Sequence, residues 1–114
     1  MSWLKAMREK EPPEPENPIG TVVIGTINPD IMTTAKDMVR RSLKIAQFKT
    51  IDVGRGVSPE IFVSKAKEVN ADIIVVSVLL RTAKENLPNL MATLENEDHK
   101  DKIVVMIGGA ADKR

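Results

Sequence analysis

The residues best suited to chemistry lie in a short loop after the first apolar run of the chain. Asp30 and Met32 stand there two positions apart. A carboxylate at such a place accepts hydrogen bonds from the free N–H groups that begin a helix, and a thioether is a soft metal ligand. The single histidine, His99, is far away in the sequence, and there is no cysteine. The sequence therefore offers no nucleophile paired with a histidine base and no thiolate metal site.

Four apolar runs of strand length alternate with amphipathic segments. Runs of this kind are typical of strands buried on both faces of a parallel sheet. The strands are predicted over 21–26, 50–53, 72–77 and 102–107, and the helices over about 31–46, 59–69 and 84–95. The alternation predicts an α/β fold of three layers with a parallel four-stranded sheet in the order 2-1-3-4. This is the flavodoxin-like (Rossmann-like) arrangement without its last strand and helix.

Helical periodicity assigns an inner and an outer face to the first two helices. Ser58 is the expected N-cap of the second helix, with Pro59 at its first position, and residues 54–56 are expected to turn the chain before it. The expected inner residues of the first helix are Ile31, Ala35, Met38, Val39, Leu43 and Ala46, and its expected outer residues are Lys36, Arg40, Arg41 and Lys44. The expected inner residues of the second helix are Ile61, Phe62, Ala66 and Val69.

Composition narrows the class of protein. The 114 residues suit one domain, and 17 basic residues nearly balance 16 acidic ones. The charge thus favours neither nucleic acid nor a membrane surface, and no apolar run approaches the roughly 20 residues of a membrane span. The lack of cysteine fits a cytoplasmic protein. We expect a short helix over 1–10, a Pro/Glu-rich linker over 11–19 and the α/β domain over 20–114.

The expected ligand site lies at the carboxyl edge of this sheet. In open α/β sheets ligands bind outside the carboxyl ends of the strands, where the strand order reverses. Here that place lies between strands one and three. The loops expected to converge on it are 27–32, 78–83 and the segment from Gly108 onward. No phosphate-binding or dinucleotide-binding glycine motif follows strand one.

These three loops resemble the cobalamin-binding domain of corrinoid proteins, of the methyltransferase corrinoid-subunit type. That family has an Asp-x-His-x-x-Gly loop, a Ser-x-Leu motif and a Gly-Gly pair. Residues 30–35 keep the aspartate as Asp30, but Met32 and Ala35 stand at the histidine and glycine positions. The second motif is intact in 77–79, and Gly108-Gly109 matches the third. The similarity covers residues 20–110.

The resemblance implies a bound corrinoid without histidine ligation of cobalt. The cofactor's own base or water would hold the lower face, with the Met32 thioether as an alternative ligand. The cofactor-binding positions that it implies are Asp30, Ile31, Met32, Thr33, Ala35, Ser77, Leu79, Thr82, Gly108 and Gly109. Five of them have a plainer role as well: Asp30 caps a helix, Met32 packs on the sheet, Ser77 bonds loop backbone, and Gly108 and Gly109 end a strand.

Two functions follow from the resemblance. The first is a carrier or accessory of a methyl-transfer system, not an enzyme by itself, that works with a methyltransferase or activating partner. The alternative is a degenerate domain that binds no cofactor and acts as an interaction or regulatory module. Strand four is expected to be an exposed apolar edge, which invites pairing with another chain. We therefore also expect a homo-oligomer or edge-strand pairing.

Overall fold

The computed structural model describes residues 11–28, 34–78, 85–96 and 103–108. Within these ranges four strands alternate with three helices. The strands are β1 (Thr21–Ile27), β2 (Lys49–Val57), β3 (Ile73–Ser77) and β4 (Val104–Gly108), and the helices are α1 (Thr34–Ile45), α2 (Pro59–Val69) and α3 (Leu87–Asn96). The strands form one sheet in the order β2-β1-β3-β4, with every pair parallel. The predicted fold class and strand order are confirmed.

The two faces of the sheet are covered unequally. The two-helix face packs against α2 and α3, whose Phe62 and Leu90 are fully buried against strand residues such as Val23 and Ile74. The one-helix face carries a smaller cluster of Val22, Ile24 and Val75, against which Leu43 of α1, Phe48 and Ile73 pack. The larger core therefore holds α2 and α3, and α1 rests on the smaller one.

Strand β2 corrects the predicted turn at residues 54–56. The strand continues through them to Val57, and its pairing with β1 shifts register twice, on either side of Gly25. Gly54 and Gly56 have φ values of 105° and 62°, in the region that side chains rarely adopt. The two glycines form irregular, bulged positions within the strand, which the short apolar run did not show. Ser58 and Pro59 begin α2 as predicted.

The predicted faces of α1 are wrong. Met38, Val39 and Ala46 were expected inside but are exposed, whereas Leu43, also expected inside, packs on the sheet. The basic residues expected outside are largely covered, because acidic partners lie against them: the side chains of Lys36, Arg40, Arg41 and Lys44 are 5, 17, 11 and 6% exposed.

In α2, Ile61 is likewise exposed, while Phe62 and Ala66 are buried as predicted and Val69 packs against the core.

The acidic linker is the main partner of the basic row on α1. Glu11 bonds to the guanidinium of Arg40 and lies 2.7 Å from Lys44 Nζ, and Glu14 lies 3.0 Å from the same Nζ. The hydrogen bond from Arg40, followed by that from Lys44, lowers the pKa of Glu11 to about 2. The segment predicted as a linker is therefore held to α1 by ion pairs.

Substitution of Gly25 by alanine tests the packing beneath β1. An added Cβ would lie 2.5 Å from Val53 Cγ2 and 3.0 Å from Phe62 Cζ. We expect Gly25→Ala to lower the free energy of unfolding by about 1–3 kcal/mol through overpacking, measured by urea denaturation. Gly108→Ala is the matched control, since no atom of residues 11–28, 34–78, 85–96 or 103–108 lies within 4 Å of its added Cβ. Equal losses in the two variants would contradict the packing described.

Substitution of Glu11 by glutamine tests the ion pairs of the linker. The folded pKa of about 2 lies below the ordinary 4.5, so the stabilisation is complete above pH 4.5 and is lost as the pH falls towards 2. Because the side chain is 45% exposed, we expect Glu11→Gln to cost only about 0.5–1 kcal/mol near neutral pH. The difference between the variant and the unsubstituted protein should vanish near pH 2 and shrink in high salt.

Glu16→Gln, an exposed control in the same segment, should change the free energy of unfolding little. A pH-independent loss would contradict the ion-pair account.

Candidate functional site

Three strands end side by side at the carboxyl edge of the sheet. Thr26 of β1 pairs in register with Ser77 of β3, and Ser77 pairs with Gly108 of β4. Thr26 is fully buried and Ser77 is nearly so. Paired residues of a parallel sheet point to the same face, and these three continue the rows that carry Ile24 and Val75 on the one-helix face. Two hydroxyl groups and a glycine therefore form one short row.

Gly108 leaves space at the end of this row. An added Cβ at Gly108 would meet no atom of the described structure within 4 Å. Gly25, by contrast, is surrounded by Val53 and Phe62. Packing among the described residues therefore requires a glycine at position 25 but not at position 108. A glycine there exposes backbone that a ligand can approach closely.

Backbone bonds fix the positions of the strand ends. The N–H of Asn28 donates to the carbonyl of Val57 over 2.8 Å, and the N–H of Val78 donates to the carbonyl of Gly108 over 2.9 Å. The side-chain amide of Asn86, just before α3, donates to the carbonyl of Asn28. At the edge where the site is expected, the residue after β1 is thereby joined to β2 and to the segment before α3, and the residue after β3 is joined to β4.

A buried lysine connects α1 to β2 on the same face. Lys36 Nζ donates to both carboxylate oxygens of Asp52 over 2.8 and 3.0 Å. Asp52 also accepts the N–H of Gly54 over 2.8 Å, which supports the bulge. Because Lys36 lies in the first turns of α1, this pair fixes where the helix starts relative to the carboxyl edge.

The structure brings together two of the ten predicted site residues, Ser77 and Gly108. Ala35 lies in the first turn of α1, and its side chain is outside the described residues. The other predicted positions also lie outside them: Asp30, Ile31, Met32, Thr33, Leu79, Thr82 and Gly109. Their roles therefore remain predictions, as does the place of His99.

Three residues that line or support this edge were not predicted from the sequence. Thr26 was interpreted only as part of an apolar strand, although a hydroxyl at the end of a strand buried on both faces is a sign of a polar site. Asn86 and Asp52 gave no such sign, because their roles depend on contacts with Asn28 and Lys36 far away in the chain.

Two searches of the described ranges give negative results. No group of three histidine, aspartate or glutamate side chains there is placed to hold a metal ion. No helix in the same ranges has both the length and the apolar character needed to cross a bilayer.

Comparison with known proteins identifies similar chains. A family model described as the B12 binding domain matches residues 20–112. Trimethylamine corrinoid protein 1 of Methanosarcina acetivorans is 42% identical over 110 residues, which are 96% of this chain and 50% of that protein. The chain thus spans about half the length of this curated relative.

Two solved structures have the same fold. A cobalamin-binding protein from Desulfitobacterium hafniense DCB-2 superposes with a TM-score of 0.79 and 28% identity, over 82% of this chain and 46% of that one. The methanol:cobalamin methyltransferase complex from Methanosarcina barkeri gives a TM-score of 0.80 and 21% identity, over 86% of this chain and 37% of the matched chain. The second likeness is one of fold alone.

Substitution of Asp52 by asparagine tests the pair that positions α1. The variant leaves Lys36, 5% exposed, without its closest carboxylate. We expect a loss of about 1–3 kcal/mol in the free energy of unfolding, below the value for a fully buried pair because Asp52 is 31% exposed. Asp37→Asn is the matched control, since Asp37 lies 3.6 Å from the same Nζ and is more exposed. It should cost less than about 0.5 kcal/mol. Equal losses would contradict a positioning role for Asp52.

Proposed function

Because the chain belongs to the B12 binding domain family, we propose that it binds a corrinoid as a carrier or accessory of a methyl-transfer system. The observation that carries this proposal is the row of Thr26, Ser77 and Gly108, with its open glycine end. The corrinoid protein from Methanosarcina acetivorans supports the assignment of cofactor and system.

The residues of the row suit the tail of the cofactor. The hydroxyl group of Ser77 both donates and accepts hydrogen bonds, which suits the polar atoms of a nucleotide. Gly108 lets the tail approach the backbone closely, and the backbone bonds at Asn28 and Val78 fix the strand ends beside it. The predicted contacts at positions 30–33, 35, 79, 82 and 109 complete the proposed site.

The chain supplies position and environment, and the cofactor supplies the reactive centre. A corrinoid, when bound, provides a cobalt that accepts and donates methyl groups. Met32 stands where the family pattern has a histidine, so we propose that the cofactor's own base or water holds the lower face. None of these residues is proposed to be catalytic, and the chain is proposed not to be an enzyme by itself.

The partner in this proposal is a methyltransferase that loads or unloads the corrinoid. It is supported by the curated relatives, which are named as trimethylamine and dimethylamine corrinoid proteins. The cytoplasm is the proposed place of action, since the sequence contains no cysteine.

A second function is favoured by one specific observation. The replacement of histidine and glycine by Met32 and Ala35 removes the cobalt ligand and adds a methyl group in the first motif. A domain of this kind without cofactor would act as an interaction or regulatory module. It differs from the carrier in one measurable property, the retention of corrinoid.

Titration with hydroxocobalamin, followed by desalting, separates these two functions. The carrier proposal predicts that the folded protein retains the cofactor with an absorption spectrum that shows no protein ligand to cobalt. Gly108→Val should lower the affinity at least tenfold, because its branched side chain would fill the open end of the row. Val104→Thr, on the same strand and face, is the control and should bind normally. A folded protein that retains no corrinoid would contradict the carrier proposal and favour the module.

Substitution of Met32 by histidine tests the proposed ligation. The variant restores the Asp-x-His spacing, so we expect its bound cobalamin to change to the spectrum of a base-off cobalamin with a histidine ligand. Met32→Leu keeps the size and removes the sulfur, and should leave the spectrum of the unsubstituted protein unchanged. A base-off spectrum in the unsubstituted protein that Met32→Leu abolishes would show instead that the thioether binds cobalt.

A further inference from the structure

The outward side of α1 is apolar, although the outward side of a surface helix is usually charged. Met38, Val39 and Ile45 are 41, 42 and 65% exposed, whereas the basic side chains of the helix are largely covered. At about 3.6 residues per turn, the exposed residues share one side of the helix that is roughly 120° wide. We call this side the outer stripe; it consists of Met38, Val39, Ser42, Ile45 and Ala46. A stripe of this width normally packs against other apolar residues.

The linker is held at one border of the outer stripe. The carboxylate of Glu11 bonds to Arg40 and Lys44. Its Oε1 also lies 4.0 Å from Nη2 of Arg41. Around the helix, Arg41 lies between Lys44 and Ile45. Glu11 therefore anchors the chain on the flank of α1 beside Ile45, and the residues immediately before Glu11 must start from that flank.

The residues before the linker have an apolar side of similar length. Met7 follows Leu4 by three positions and Trp3 by four, which is the spacing of neighbours on one side of a helix. A helix advances about 1.5 Å per residue, so Met7 and Trp3 would lie about 6 and 12 Å from Glu11. The outer stripe, over residues 38–46, is about 12 Å long by the same rule. The two apolar sides therefore match in length.

We propose that residues 3–10, which lie outside the described ranges, form a helix whose side with Trp3, Leu4 and Met7 covers the outer stripe. The inference is independent of corrinoid binding. It commits to this segment because the ion pairs of Glu11 tether it beside the stripe, and a short tether gives a local concentration on the order of millimolar. A second copy or another protein has no such tether. Each side of α1 then has a partner: the linker and β2 hold its basic row, and the N-terminal segment covers its apolar side.

The fluorescence of Trp3 tests this contact, because it is the one tryptophan of the chain. We expect acrylamide to quench Trp3 at least twofold less efficiently in the folded full chain than in the same chain unfolded in urea. Replacing Met38 and Ile45 by glutamine keeps good helix-forming residues in α1 but removes the apolar contact. Met38→Gln/Ile45→Gln should therefore raise the quenching constant of the folded protein at least twofold and shift the emission of Trp3 to longer wavelength.

A matched pair of residues on the other side of the sheet provides the control. Ile61 of α2 and Met91 of α3 are 51 and 38% exposed, and both helices lie on the two-helix face. Ile61→Gln/Met91→Gln changes the same two residue types and should leave the quenching of Trp3 unchanged. Circular dichroism checks that both variants are folded, which we expect because all four substituted side chains are exposed.

Paired cysteines test the same contact by a chemical route, since the chain has no cysteine of its own. Met7→Cys is combined with Met38→Cys in one variant and with Ile45→Cys in a second. A disulfide needs Cα atoms roughly 4.4–6.8 Å apart. The variant that matches the packing should therefore form an intramolecular disulfide at least tenfold faster than the control, Met7→Cys/Met91→Cys. Non-reducing electrophoresis separates the cross-linked monomer from a disulfide dimer.

Three outcomes would overturn the proposal. If acrylamide quenches Trp3 equally in the folded and in the urea-unfolded chain, the segment does not pack on α1. If Trp3 is protected but Met38→Gln/Ile45→Gln leaves its quenching unchanged, the segment packs elsewhere. If the protection depends on protein concentration and the cysteine pairs form only dimers, a second copy covers the outer stripe.

Discussion

The hydrogen-bonded position of β1 between β2 and β3 is the constraint on which the rest of the fold depends. Residues 22–27 are buried on both faces of the sheet, so each face needs a cover. On the two-helix face α2 and α3 supply it through the larger core. On the one-helix face α1 covers the smaller cluster around Val22 and Ile24, and the side chains of β4 remain exposed.

This unequal cover explains where the candidate site lies. The same face that holds the exposed part of β4 also carries Thr26, Ser77 and Gly108 at its carboxyl edge. Lys36 and Asp52 fix the start of α1 beside that edge, and Glu11 holds the linker to Arg40 and Lys44 in the same row of the helix. These ion pairs thus position α1, which packs only weakly on the small apolar core.

The sequence predicted the architecture well because long apolar runs and alternating helices depend on local pattern. The prediction from sequence failed where the burial of a residue depends on partners far away in the chain. The basic row on α1 was predicted to be outside because charged residues usually face water, but Glu11 and Asp52 neutralise and cover it. The bulge at Gly54 was hidden because glycines predict turns and irregular strands equally. Of the candidate site, motif matching predicted Ser77 and Gly108, which the structure places side by side, whereas Thr26 became evident only from the register of three strands.

The most direct test of the account is a two-dimensional amide NMR titration of the isotope-labelled chain with hydroxocobalamin. The account predicts saturable shifts for the amides of Thr26, Ser77 and Gly108, which lie at the carboxyl edge. The amides of Asp72 and Val104, at the opposite ends of β3 and β4, should not move. Shifts confined to that opposite edge, or no saturable shifts in a folded sample, would contradict it.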